Sequence, residues 1–236
     1  MHFGEGIINK TDDSVIKKVI LAPTNNDVID LNKQVLAKLE GDLVNYLSVD
    51  SADDDKHKNL DMAMPIKFLN SLRPNGMPLH NLALKEGSIV ILLRNLNPKE
   101  NLCNGTRLKI FKLMKHCIFA KLITGERSGQ IVCLPRITLS SLAEDLPFSM
   151  NRRQFPIRLG YVLTINKAQG QTFGDVGIYL PSPVFSHGQL YVALTRGNQK
   201  TKIKVKITHN NLISSKSKTK RHQLTYTKNV VYKEIL

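Results

Sequence analysis

The sequence predicts an α/β domain interrupted by a small inserted β-barrel, and three observations carry that expectation. The chain opens with a strand–helix–strand rhythm. Residues 87–148 then hold at least four short apolar stretches with no helix between them. After Pro147 strands and helices alternate again. With 236 residues, 42% of them apolar and 22% charged, the chain suits one large domain or a medium domain carrying an insert. At this size about 70% of the extended surface is buried on folding, and the composition excludes wholesale disorder.

The first strand is expected over 15–22, VIKKVILA before Pro23 and Thr24. Asn25 to Asp27 are candidate N-caps for a helix whose apolar face is Val28, Leu31, Val35, Leu36 and Leu39, and Gly41 ends it. A short strand over 46–49 leads into Asp50, Asp53, Asp54 and Asp55. With His57 these imitate a metal cluster but read as a solvated acidic loop. SIVILLRNL, TRLKIFKLMKHCIFAKLI and QIVCLPRI supply the barrel strands, with GERSG as a turn. Cys103, Cys117 and Cys133 fall on these strands and read as small core residues. A helix is expected at FPIRLGYVLTINKAQ, then strand VGIYL, helix SHGQLYVALTR and strand KIKVKI. The stretch 210–226 is polar, basic and expected to be mobile, and no repeat of fixed period occurs.

Charge is distributed unevenly. Residues 1–86 carry a net −3, residues 87–195 a net +8 and the last 41 a net +10. That gradient suggests a polyanionic partner, the alternative being a solvated basic tail. Low aromatic content, 6% with no Trp, argues against a base-stacking platform as the main grip. No apolar run approaches a membrane span, and the first residues lack the pattern of a secretory signal. Three cysteines without a Cys-x-x-Cys pair argue against a disulfide scaffold or a zinc site, and for a reducing compartment.

Two segments carry the chemistry. YVLTINKAQGQTF, residues 161–173, gathers hydroxyl, amide and ammonium groups around Gly170, where backbone can approach phosphate oxygens. The alternative is a glycine-capped helix end and a polar loop. SHGQLYVALTRG, residues 186–197, ends a helix on Arg196, a fork suited to phosphate or simply a surface arginine matched to the helix dipole. His187 beside it reads as a helix-start residue, and no Ser/His/Asp or Cys/His arrangement supports nucleophilic catalysis.

Together and in this order, LTINKAQGQTF and GIYLPSPVFSHGQLYVALTR resemble the fifth and sixth helicase motifs of the Pif (petite integration frequency) family of ATP-dependent DNA helicases, closest to Helitron-type transposon proteins. ILAPTNNDVIDLN resembles the fourth motif, residues 68–108 the entry to the family's inserted barrel, and PRITLS with PFSMNRRQFPIRLGYVLTINKAQGQTF its exit. YTKNVVYKEIL resembles a family C-terminus, so the likeness covers about residues 19–236. It implies the second RecA-like domain of a helicase, a P-loop NTPase-like fold, in residues 1–86 and 149–208. A Src-homology-three-like barrel is implied at 87–148 and a basic tail at 209–236.

The sequence contains no Gly-Lys and no Asp-Glu pair, so the family's phosphate-binding loop and Mg²⁺-holding motif are absent from it. The chain is therefore expected to be the C-terminal half of a 5′-to-3′ helicase, inactive alone. ATP and Mg²⁺ would be held mainly by a first RecA-like domain, in cis or in trans. By resemblance, Arg196 is the arginine finger, and Gly170 and Gln171 lie near the same nucleotide. Thr24, Asn25, Thr164 and Lys167 grip single-stranded DNA beside Asn166, which stands where many members have His. In the barrel, Arg94, Asn104 and Arg107 hold strand or fork. The rival expectation is a non-catalytic, basic single-strand-binding remnant of a transposon protein. A nuclear location is expected, with a mitochondrial one as the alternative, and no membrane partner.

Overall fold

The structure, a computed structural model, describes residues 17–53, 64–125, 127–141, 146–208 and 227–230. Asp54, Asp55, His57 and the stretch 210–226 lie outside these. The chain divides into two compact units, Met1–Lys38 with Tyr161–Leu236, and Leu39–Gly160.

The first unit opens with β1 (Lys18–Ala22), an aliphatic run buried from Val19 onward, and α1 (Asn25–Lys38). The N-cap is Thr24, not the Asn25–Asp27 group expected from sequence. Its Oγ1 accepts from the Asp27 N–H at 3.2 Å and donates to the Asp27 carboxylate at 2.5 Å, so a Thr-x-x-Asp pairing starts the helix. Val28, Asn32 and Leu36 form the buried face.

The second unit is β-rich. Its elements are β2 (Val44–Leu47), β3 (Val49–Asp53), α2 (Ile66–Ser71), β4 (Asn81–Leu84), β5 (Ile89–Leu92), β6 (Arg107–Leu113), β7 (Cys117–Leu122), β8 (Ile131–Pro135), β9 (Ile137–Ser140), β10 (Ser149–Gln154) and β11 (Ile157–Leu159). A five-stranded sheet runs β11-β5-β6-β7-β8, beside β3-β10-β9 and the pair β2-β4. Alternate residues of the large sheet, among them Val90, Leu92, Leu108, Ile110, Ile118, Ala120 and Leu134, meet Tyr46, Leu82, Leu84 and Phe155 in one core. The compact unit therefore reaches well beyond the insert drawn at 87–148. The reason is strand pairing: β3 is held by β10, and β5 by β11.

Asp50 is not in a solvated acidic loop. It lies on β3 opposite Arg152 of β10, and neither side chain has measurable exposure. All five guanidinium N–H groups of Arg152 are used. Nε donates to Asp50 Oδ1 (2.9 Å). Nη2 donates to Asp50 Oδ2 (2.7 Å) and Leu69 O (3.0 Å). Nη1 donates to Leu72 O (3.2 Å) and Pro78 O (3.0 Å). Ser48 Oγ donates to Asp50 Oδ1 at 2.6 Å and accepts from His80 Nδ1 at 2.8 Å. The cysteines are not core residues either. Cys103 sits in a loop, Cys117 is partly buried and Cys133 is exposed, because Cys117 and Cys133 occupy the outward positions of β7 and β8.

The chain returns to the first unit with β12 (Val162–Thr164), a 3₁₀ turn (Asn166–Ala168), β13 (Asp175–Leu180), α3 (Gln189–Leu194), a 3₁₀ turn (Lys200–Lys202) and β14 (Ile203–Ile207). The helix expected at FPIRLGYVLTINKAQ is replaced by β11 and β12. Gly160 between them packs directly on backbone, since a Cβ there would stand 3.1 Å from the Val90 carbonyl carbon. The sheet order is β12-β1-β13-β14, every pairing parallel. On β12, the Asn32 side chain of α1 donates to Val162 O (3.0 Å) and accepts from Val162 N (3.1 Å), satisfying the outer edge of this terminal strand.

Candidate nucleic-acid interface

In an open parallel sheet, ligands bind beyond the carboxyl ends of the strands. The register Ala22↔Thr164 sets the ends of β1 and β12 side by side, and the Ile165 N–H donates to Ala22 O at 3.1 Å. Thr24 and Asn25 therefore leave one strand where Thr164, Asn166 and Lys167 leave its neighbour. The sequence-derived strand-gripping residues of this unit, about 140 positions apart in the chain, are gathered at one sheet edge.

Their side chains are not equally available. Asn25, Asn166 and Lys167 are exposed, whereas Thr164 is 8% exposed. The Thr164 hydroxyl accepts from the Lys167 N–H at 3.4 Å and holds the turn that presents Lys167. Thr24 is committed to Asp27, whose carboxylate repels a phosphate. The two threonines thus shape the edge, while the two asparagines and the lysine face outward.

A second cluster gathers Gly170, Gln171 and Arg196. Arg196 follows α3, and its side chain folds back: Nε donates to Val192 O (3.1 Å), Nη1 to Gln171 O (3.1 Å) and Nη2 to Thr195 Oγ1 (3.0 Å). Three of five N–H groups are spent, leaving one on each terminal nitrogen to point at an acceptor. The backbone is pinned as well. The Phe173 N–H donates to Arg196 O (2.9 Å), and Phe173 forms a parallel bridge with Gly197. Gly170 has φ +79° with open space where a Cβ would be, a position where backbone can meet a ligand closely.

Sequence reasoning set Gln189 at helical spacing with Arg196 but gave it no role. It is 2% exposed, accepts from the Phe185 N–H at 3.1 Å and donates to Asn166 Oδ1 at 3.5 Å, linking the start of α3 to the strand edge. A lone amide at a buried position of an otherwise apolar helix was the available signal. Lys200, Lys202, Lys204 and Lys206 are exposed on and just before β14.

In the β-rich unit, Arg94 is half-buried and donates to Leu93 O at 3.3 Å, while Asn104 is exposed beside Asn95. Arg107 does not serve a loop. It begins β6, is 2% exposed and donates to Gly160 O at 3.3 Å, so its guanidinium braces the sheet. Arg158 of β11 lies across Ile91 from Arg107. Burial pulls its pKa below the usual guanidinium value, and its Nε and Nη2 have no hydrogen-bond partner among the described residues. No group of three or more His, Cys, Asp or Glu gathers among the described residues, and none of their helices is long and apolar enough to cross a membrane.

Residues 67–113 match the family model described as DNA helicase Pif1, 2B domain. The chain is 25% identical over 233 residues to the ATP-dependent DNA helicase PIF1 of Emericella nidulans, covering 78% of this chain and 30% of that protein. It is 28% identical over 195 residues to the Pif1 helicase of Campylobacter jejuni, covering 79% and 41%. In fold it is similar to a Pif1 helicase solved in a study of unwinding at forked double-stranded DNA by two coordinating copies (TM-score 0.59, 25% identity, 80% of this chain and 39% of that one). The Candida albicans Pif1 helicase shares the fold (TM-score 0.61, 24% identity, 82% and 46%). The chain spans less than half the length of each of these proteins.

Proposed function

We propose that this chain, a relative of the Pif1 DNA helicases in sequence and fold, is the DNA-gripping and arginine-supplying part of an ATP-dependent 5′-to-3′ DNA helicase. The observation that carries the reading is the parallel register of β1 and β12, which sets Asn25 beside Asn166 and Lys167 at a carboxyl edge. Two amides and an ammonium there suit the phosphates and sugars of a single strand, contacts that hold it without reading sequence. The β-rich unit is the family's Src-homology-three-like insert, and its Arg94 and Asn104 serve the strand or fork.

ATP and Mg²⁺ belong to this reading through a first RecA-like domain, in cis or in trans. Here the residues fit a supporting role only. Arg196, held by Val192, Gln171 and Thr195, offers two remaining N–H groups to phosphate oxygens, and the open backbone at Gly170 and Gln171 lies beside it. ATP bound by the first domain would drive domain closure, and its hydrolysis would release it. An arginine in that role contributes about 10³–10⁵ in rate, roughly 4–7 kcal/mol.

The test is Arg196→Ala in the complete enzyme. DNA-stimulated hydrolysis falls by about 10³-fold or more while single-strand affinity is kept. Hydrolysis within a few-fold of the parent removes Arg196 from the role. ATP turnover by the chain alone, abolished by the same substitution, contradicts the need for a first domain.

A further inference from the structure

The outward face of the β-rich unit carries a cluster of sulfur atoms that the helicase reading does not use. Met114 and Cys117 bound one tight turn: the Met114 N–H donates to Cys117 O at 3.1 Å, and the Tyr46 hydroxyl ties Met114 O to the core at 2.9 Å. Within this turn Cys117 Sγ lies 4.0 Å from Met114 Sδ. On the neighbouring strand Cys133 stands opposite Phe119, and Cys117 opposite Pro135, so the two cysteines are diagonal neighbours on one face. Ile118, Val132 and Leu134 between them point into the core, which fixes both thiols outward. Cysteine and methionine are usually buried. Here Met114 is 45% exposed and Cys133 is exposed.

The spacing separates two chemistries. Diagonal neighbours in an antiparallel pair have Cα atoms about 7–8 Å apart, beyond the roughly 4.4–6.8 Å a disulfide spans. A bridging ion has no such restriction. Two metal–sulfur bonds of about 2.3 Å at a trigonal angle put their sulfurs about 4.0 Å apart, the separation found between Cys117 and Met114. His116 lies in the same turn and Glu86 Oε1 accepts from the Leu113 N–H at 3.2 Å, but among the described residues no group of three His, Cys, Asp or Glu gathers here, and two thiols with a thioether suit a soft monovalent cation better than zinc, which takes four ligands.

We propose that Cys117, Cys133 and Met114 form a surface site for a thiophilic monovalent cation, Cu(I) by ligand chemistry. Binding is not a redox step. Each thiol gives its proton to solvent as its sulfur takes the metal, so up to two protons leave per ion bound. Because binding releases protons, affinity climbs with pH.

The experiment titrates the full chain anaerobically with Cu(I) against a coloured Cu(I) chelator, then alkylates it and maps the cysteines by mass spectrometry. The expected result is one ion per chain, with Cys117 and Cys133 protected and Cys103 modified. Cys117→Ser and Cys133→Ser each weaken binding by more than about 100-fold, and Met114→Leu by about 10-fold. Cys103→Ser leaves binding unchanged. Equal alkylation of all three cysteines with Cu(I) present overturns the proposal. So does affinity indifferent to Met114→Leu, or a Cys117–Cys133 disulfide that forms readily in air.

Discussion

Replacing Arg152 with Met should cost the β-rich unit about 3–5 kcal/mol, the range for breaking a buried ion pair from one side. The arginine has no exposed surface, and its five N–H groups serve the Asp50 carboxylate and the carbonyls of Leu69, Leu72 and Pro78. Methionine fills most of the volume but satisfies none of these acceptors. The carboxylate is left with the Ser48 hydroxyl and with His80 Nδ1 at 3.8 Å, and three carbonyls are deprived of a charged donor. Asp50→Asn errs in the opposite direction, leaving a buried cation without its counter-charge. Both substitutions break the same interaction, so Asp50→Asn with Arg152→Met should cost well under the sum of the singles. Urea unfolding of the four proteins closes the cycle, with the m-value as a check that the compact state is unchanged. A single-mutant cost below about 1 kcal/mol, or additivity of the pair, refutes the reasoning.

Two smaller perturbations test the neighbouring arguments. In Gly197→Ala the new Cβ would stand 2.7 Å from Ile203 Cγ1, so the segment behind Arg196 must shift; a loss of about 1–3 kcal/mol in urea unfolding is expected. Unchanged stability means the packing of Gly197 on β14 is slack. Arg158→Met removes a buried cation whose Nε and Nη2 lack partners among the described residues, and the urea midpoint should rise, by about 1–3 kcal/mol in stability. A fall would show that this guanidinium is a brace like Arg107.

The α/β layer was legible because β1 and β13 are largely apolar runs bounded by Pro23 and Gly174, and β14 alternates apolar residues with lysines. The β12 segment misled because IRLGYVLTIN is apolar through most of its length, and a short buried strand cannot be told from a helix by periodicity alone. Arg152 and Asp50 were illegible for another reason. They are 102 positions apart, and only the pairing of β3 with β10 turns two ordinary charged residues into one buried group. Thr24 and Thr164 were expected at the site from their motifs, and their hydroxyls are engaged by local backbone and carboxylate partners, which motif reading does not register. The burial of Arg107 was illegible because an arginine at the start of a strand looks the same in sequence whether its fork points to solvent or to a carbonyl.

The central claim is that the carboxyl edge of β1 and β12 holds single-stranded DNA while Arg196 does not. The direct measurement is the fluorescence anisotropy of a labelled oligothymidylate with the chain across a salt series. Asn25→Ala with Lys167→Ala should weaken binding at least about 10-fold and shallow the log–log salt slope by about 0.7, for the one phosphate that Lys167 no longer neutralises, while Arg196→Ala stays within about twofold. Unchanged affinity and slope in the double variant, or a weakening by Arg196→Ala as large as the one at Lys167, would contradict it.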